Sequence, residues 1–241
     1  MAAGSHEPRR RVTIVSINQP CYLPWCGLIE RIARADVHVH LDDVQYSKST
    51  FFARNRVVDR AGREVMLVVP VRAQLHDTIQ QATVPDDGWR RKHLASLTQI
   101  YGRFPGATAK LDELKTLYAK PCASLADLNI ETIGWLLKAL GITTPTVRAS
   151  ELGVDGKATS RVVALCKHLG GTEYYSPSGA REYIQAEEFE AAGVKLTYQA
   201  YTPVPYEQAP LPEFVPFLSV VDPLLRHGGE ATRAVVLAGA T

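Results

Sequence analysis

The chain is poor in cysteine. Four cysteines, Cys21, Cys26, Cys122 and Cys166, are spread over 241 residues, too few and too scattered for a disulfide scaffold. "CYLPWC" spaces its pair as C-x4-C, and no second cysteine pair completes a zinc site. Long apolar runs are missing too. The longest, "VMLVVPV", is the length of a buried strand and falls far short of the roughly 18 residues of a membrane span. No G-x-x-x-x-G-K-[ST] loop and no G-x-G-x-x-G occurs, so nucleotide and dinucleotide chemistry has no support. Charge of one sign is also lacking: 27 Lys and Arg against 25 Asp and Glu leave +2, without the basic bias that nucleic acid demands. The expectation is a cytoplasmic protein with free thiols and no membrane or nucleic-acid partner.

What is present is core-forming residue. The hydrophobic fraction is 46%, enough to bury a large interior. The start, "MAAGSHEPRRR", is polar, so residues 1–10 read as a flexible leader and 11–241 as one domain. "RVTIVSI" reads as a buried strand. "WCGLIERIARA" puts Trp25, Leu28, Ile29 and Ile32 on one helical face. "DVHVHLDDVQ" alternates as a strand, and "RNRVV" with "REVMLVVPV" flanks "DRAG" as a hairpin. Three helical patterns run from Gly88 to Gly141. "TPTVRAS", "GKATSRVVALCKHLGG" and "TEYYS" then make a β-α-β unit. The proline-rich "TPVPYEQAPLPEFVP" crosses the surface before a closing helix, "LSVVDPLLRHG". The expected fold is α/β, a single domain with a mixed sheet flanked by helices.

Cys21 sits in the loop just ahead of a helix. A thiol there is either a small packed hydrophobe or a nucleophile activated by helix N–H groups and a nearby base. Cys26, inside the helix, reads as packing. "HVHLDD" sets His38, His40 and Asp42 on one strand face, a chelating pattern that lacks a further ligand or simply a polar face. "SPSG" follows a strand and offers Ser176 and Ser178 to a ligand, or forms a plain turn. Arg56, beside Asn55, presents a guanidinium to an anion or is edge-strand polarity.

"INQPCYLPWCGLIERIARADVHVHLDDVQYSKSTFFARNRV" resembles the opening of the WbqC-like proteins. The likeness continues through "WRRKHLASLTQIYGRFP", "ATSRVVALCKHLGG", "YYSPSGAREYI" and "LSVVDPLL". Gln19, Tyr22, Trp25, Asp42, Gln45, Asn55, Arg56 and His93 match the family's pattern; Asn18 stands where the family often has histidine, and the position of Cys21 varies. The family accompanies amino-sugar, polysaccharide and natural-product pathways. The chain is also similar to a branch of it, the condensing enzymes of lincosamide antibiotic pathways.

That resemblance implies an amide-forming acyltransferase. An aminoacyl group would pass from the phosphopantetheine thioester of a carrier protein to Cys21, then to the amine of an amino-sugar. In a cysteine-protease-like arrangement, His93 would be the base, Asp42 would orient it, and Gln19 would donate to the oxyanion. His38 or His40 with Asp42 is the rival pairing. Tyr22, Trp25, Gln45, Asn55, Arg56, Ser176 and Ser178 would bind substrate, with no bound metal or cofactor. Arg54, Arg56, Arg90 and Arg91 would meet an acidic carrier. The other classes are a non-catalytic amino-sugar-binding protein of a polysaccharide pathway and a metal-dependent hydrolase.

Overall fold

A computed structural model describes residues 12–48 and 50–240, so the expected leader, residues 1–10, lies outside the described residues. The first unit is β-α-β: Ile14–Asn18 (β1), Cys26–Arg34 (α1) and Val37–His40 (β2). The hairpin follows as Arg54–Val58 (β3) and Glu64–Val68 (β4). Three helices come next: Trp89–Tyr101 (α2), Ala107–Tyr118 (α3) and Leu125–Ala139 (α4). Then come Thr146–Arg148 (β5), Ala158–His168 (α5), Glu173–Ser176 (β6), Ala186–Ala191 (α6), Lys195–Tyr198 (β7) and Val221–Ala238 (α7).

The main sheet has five strands in the order β5-β2-β1-β6-β7, and every pairing in it is parallel. This corrects the expected mixed sheet. The antiparallel pair, β3 and β4, stands apart as a two-stranded ribbon. Its turn is tight enough to close on itself, because Asp59 Oδ1 accepts from the Ala61 and Arg63 amides at 2.8 and 2.9 Å. Its buried Val57 and Leu67 join the helical core of α2, α3, α4 and α7 and do not extend the sheet.

Alternation along β1 and β2 gives the sheet two unlike faces. Val15, Ile17 and Val39 pack with Leu165 and Phe189 of α5 and α6 in an apolar layer. Ser16, His38 and His40 point the other way and are buried. On that side α1 brings Glu30 and Arg31, also buried, so the layer between α1 and the sheet is polar. The chain leaves β1 toward β2 and β5, then returns to the far side of β1 with β6 and β7. Strand order thus reverses between β1 and β6, the place where open parallel sheets leave a crevice at their carboxyl ends.

The closing helix does not stop at Gly228. That residue (φ 79°, ψ 177°) breaks the helical path, and α7 resumes beyond it to Ala238.

The segment after β1 that carries Cys21 has no regular structure, and its carbonyls are held from elsewhere. Asn129 Nδ2 of α4 donates to Pro20 O at 2.9 Å and to Phe52 O at 2.8 Å. Asn55 Nδ2 of β3 donates to Leu23 O at 2.7 Å, and Ser219 Oγ donates to the same oxygen at 2.7 Å. The Val220 amide donates to Pro24 O at 2.8 Å. All three side chains are buried. Asn129→Ala strips the Pro20 carbonyl of its partner and weakens the hold on Phe52. Urea unfolding should show a loss of roughly 2 kcal/mol, the range for orphaning buried acceptors, with an unchanged slope.

Candidate functional site

A cleft of about 470 Å³ opens where β1 and β6 part, on the α1 side. Asn18 ends β1 beneath it, Cys21 comes from the clamped loop, and Arg31 and Leu28 come from α1. Asn55, Ser178 and Gln199 complete its polar lining, and Trp25, Phe51 and Phe217 its aromatic lining. Phe51 and Phe217 are more than half exposed, at 58% and 52%, and form the rim. The Trp25 indole lies over Gly27, where an added Cβ would come within 2.3 Å of the ring, so only glycine leaves it room. A second cleft, of about 230 Å³, lies toward α5 and shares Asn18 and Pro177 with the first. Gln19, Thr159, Arg161 and Tyr183 are among its lining.

Of the four cysteines, Cys21 alone lines the main cleft. Its thiol donates to the Gln19 carbonyl at 3.4 Å. Asn18 Nδ2 donates to the same carbonyl at 2.7 Å and lies 3.8 Å from Sγ. Asn18 is itself held by Arg31, whose Nη2 donates to Oδ1 at 2.8 Å. Burial pushes the Cys21 thiol up to about 12; the Arg31 charge and the Asn18 contact pull the other way without overcoming it. The helix expected over residues 25–35 forms as Cys26–Arg34, with Trp25 as its cap residue, but the Cys21 thiol turns to the Gln19 carbonyl and not to the helix N–H groups.

The structure does not bring the expected relay together. His93 is buried and outside both clefts, its Nδ1 sharing a 2.9 Å hydrogen bond with the Tyr22 hydroxyl and its ring packed 5.0 Å from that of Trp89. Burial lowers it to about 4, so it is neutral near pH 7. Asp42 is spent on Ser150, accepting from its amide at 3.1 Å and its hydroxyl at 2.8 Å. Arg148 adds a 4.0 Å ion pair to Asp42. A cysteine-protease-like Cys-His-Asp line is therefore not formed by Cys21, His93 and Asp42. The physical reason is local: Trp89 and Tyr22 close over the His93 ring, while Asp42 lies past the end of β2 and turns to the Ser150 loop.

The rival histidines share a strand face as expected, with rings 4.8 Å apart, but both lie under the site. Ser16 Oγ and His38 Nδ1 are 2.7 Å apart; the Asp42 carboxylate is taken by Ser150, and Asp42 meets His40 only through the backbone, its amide donating to the His40 carbonyl at 3.0 Å. Burial lowers both histidines, His40 to about 4. Among the described residues, no three or more His, Cys, Asp or Glu side chains group around a point that could hold a metal.

The remaining expected residues divide. Trp25, Asn55 and Ser178 line the main cleft, and Gln19 lines the second. Tyr22 and Ser176 are buried behind them, and Tyr22 also meets the Tyr118 hydroxyl. Gln45 is exposed in a bridge to Thr78, outside both clefts. Arg56 pairs with Glu64 at 2.6 Å, and Arg90 pairs with Asp86 at 3.3 Å while lying over the Trp89 ring. Sequence reasoning passed over Asn18, Arg31, Gln199 and Phe217. Arg31 did leave a signal: it falls one turn after Leu28, beside the apolar face of α1, where a cation is out of place.

Comparison with known proteins gives a consistent picture. The family model described as the WbqC-like protein family matches residues 19–234. The chain is 27% identical over 219 residues to the uncharacterized protein Rv1507c of Mycobacterium tuberculosis (strain ATCC 25618 / H37Rv), covering 90% of this chain and 95% of that one. No solved structure matches. No helix among the described residues is long and apolar enough to cross a membrane.

Two measurements follow from the protonation states. The thiol of Cys21 should alkylate far more slowly than a free cysteine near neutral pH, with a rate still climbing past pH 9 and no plateau. Peptide mapping after iodoacetamide treatment reads this; a plateau near pH 8 would contradict it. His38, His40 and His93 are depressed in the folded state below their ordinary 6.5. The stability tied to their neutrality is complete above pH 6.5 and is lost as pH falls toward about 4. Urea midpoints should fall across that window.

Proposed function

The chain belongs to the WbqC-like protein family, and from that premise we propose that it is an amide-forming acyltransferase that works through Cys21. One observation carries the reading. A single thiol faces a cleft at the switch point, with an amide nitrogen at 3.8 Å and a cation behind that amide. The resemblance to lincosamide condensing enzymes supports it.

The acyl donor in this proposal is an aminoacyl thioester on the phosphopantetheine arm of an acidic carrier protein. Cys21 sulfur attacks the thioester carbonyl. The C–S bond to pantetheine breaks, and the thiol proton leaves with the pantetheine sulfur. The amine of an amino-sugar then attacks the acyl-Cys21 carbonyl. The C–S bond to Cys21 breaks, the amide forms, and a proton from the amine returns to Cys21. The reaction uses no oxidant and no ATP, because the thioester already holds the activated acyl group.

No imidazole takes the thiol proton in this scheme; the leaving pantetheine sulfur takes it, and Asn18 and Arg31 only stabilise the charge on the sulfur. A thiolate forming at Cys21 meets the Asn18 Nδ2 donor, and Arg31 supplies the charge that favours it. Two clefts that share Asn18 and Pro177 suit a reaction with two substrates, although Cys21 lines only the main one. Arg54 and Arg56 on β3, with Arg90 and Arg91 on α2, are the proposed contacts for the carrier. The second reading is a protein that holds an amino-sugar without turning it over, and the raised thiol of Cys21 favours it.

Intact-mass spectrometry separates the two. Wild-type protein incubated with an aminoacyl carrier should gain one acyl mass, mapped to Cys21, that disappears when the amine is added. Cys21→Ala should fold, gain no mass and lose turnover by orders of magnitude. Near-normal turnover by folded Cys21→Ala would exclude the covalent route, and absence of any adduct on the wild type would favour the binding protein.

A further inference from the structure

Arg31 is a buried cation without an anion. It is 3% exposed and lines the main cleft. One nitrogen, Nη2, serves Asn18, while Nε and Nη1 have no hydrogen-bond partner. No ion pair among the described residues includes Arg31. Its neighbour Glu30 lies close enough to act on its charge but is bonded elsewhere. Glu30 accepts from Gln199 Nε2, lies 3.3 and 3.4 Å from the Tyr175 hydroxyl, and pairs with Arg34 at 2.5 Å. Leaving a guanidinium in this state is costly, because burial strips its water and nothing replaces it. The cleft beside it is the place from which a replacement can come.

We propose that this cleft receives a small molecule carrying a single carboxylate and that Arg31 seats that carboxylate. The charge is one rather than two for a physical reason. Among the described residues, Arg31 is the only charged side chain lining the cleft, and Glu30, fully buried behind it, repels further negative charge. A phosphate dianion would leave one charge unmatched. The rest of the ligand lies against Trp25, Leu28 and Phe217, with the Ser178 hydroxyl left for a hydroxyl or an amine, since Asn55 is held by Leu23 and Gln199 Nε2 by Gly27 and Glu30.

This inference rests on the acyl-transfer reading and names its acceptor. The carboxyl of the acyl donor is consumed as the thioester, so the free carboxylate belongs to the amine. The acceptor class is an amine-bearing carboxylic acid of monosaccharide size, such as an amino-uronic acid. Arg31 then serves two anions in turn. Before acylation it favours the Cys21 thiolate. After acylation the sulfur carries no charge, and the guanidinium is released for the acceptor's carboxylate.

Calorimetry without any acyl donor tests this, with 2-amino-2-deoxyglucuronic acid and its neutral counterpart glucosamine as probes. The acid should bind the wild type at least about tenfold more tightly. Arg31→Met should abolish that preference, and Arg31→Lys should retain part of it. Apo Arg31→Met should also melt at a higher temperature than the wild type, since it removes an uncompensated buried charge. No saturable binding of the acid, equal binding of the two probes, or a preference that survives in Arg31→Met would each overturn the proposal. So would a lowered melting temperature in Arg31→Met, which marks a purely structural arginine. The two readings fail separately. Acylation of Cys21 with no carboxylate preference removes this inference alone. Arg31-dependent binding with no acyl adduct removes acyl transfer and leaves the carboxylate site standing.

Discussion

The carbonyl of Leu23 is the pin on which the site hangs. Leu23 has φ 40°, in the left-handed region that side chains other than glycine avoid. Such a conformation costs roughly 1–3 kcal/mol and survives only where its surroundings fix it. Here two buried donors, Asn55 and Ser219, meet on its oxygen, and Asn129 holds Pro20 three residues earlier. The thiol between those anchors points where the clamp directs it. The hairpin, α4 and the segment just before α7 each supply one arm, which ties the helical layer to the sheet's open end.

The two faces of the sheet are chemically unlike. The α5 and α6 side is an ordinary apolar layer, with Tyr174 stacked on Phe189 at 5.3 Å. The α1 side carries Ser16, His38, His40, Glu30 and Arg31, a polar stratum that no stability argument would choose. Most of its members are answered within the layer, as Ser16 answers His38 and Gln199 answers Glu30. Arg31 Nε and Nη1, His38 Nε2 and His40 Nδ1 are not. Arg31, among these groups, lines the same cleft as the Cys21 thiol.

Much of this could be read from the residues alone. The strand–helix–strand opening was legible because β-branched alternation and a four-residue apolar face are local signals. The helical stretch from Gly88 to Gly141 was legible for the same reason. The all-parallel sheet was not, because strands of three to five residues such as "TVR" and "EYYS" carry no mark of which neighbour they join. The thiol was noticed, but its surroundings were misjudged. His93 matches a family motif, yet its ring closes on Trp89, one helical turn away, and on Tyr22, a contact made across 71 residues and invisible to any window of sequence. Asn18 and Arg31 lie within 13 residues of each other and in plain view, but their meeting depends on α1 folding back along β1.

The clamp also has a history in time. Ser219 grips a carbonyl 196 residues behind it in the chain. Synthesis proceeds from the amino end at about 5–20 residues per second, so roughly ten to forty seconds separate Leu23 from its last anchor. During that interval the thiol segment is on an unfinished mount, free of the left-handed turn that aims it. A nascent chain therefore carries an unclamped sulfur first, and the burial that pushes the Cys21 thiol up to about 12 comes only once Ser219 has been made.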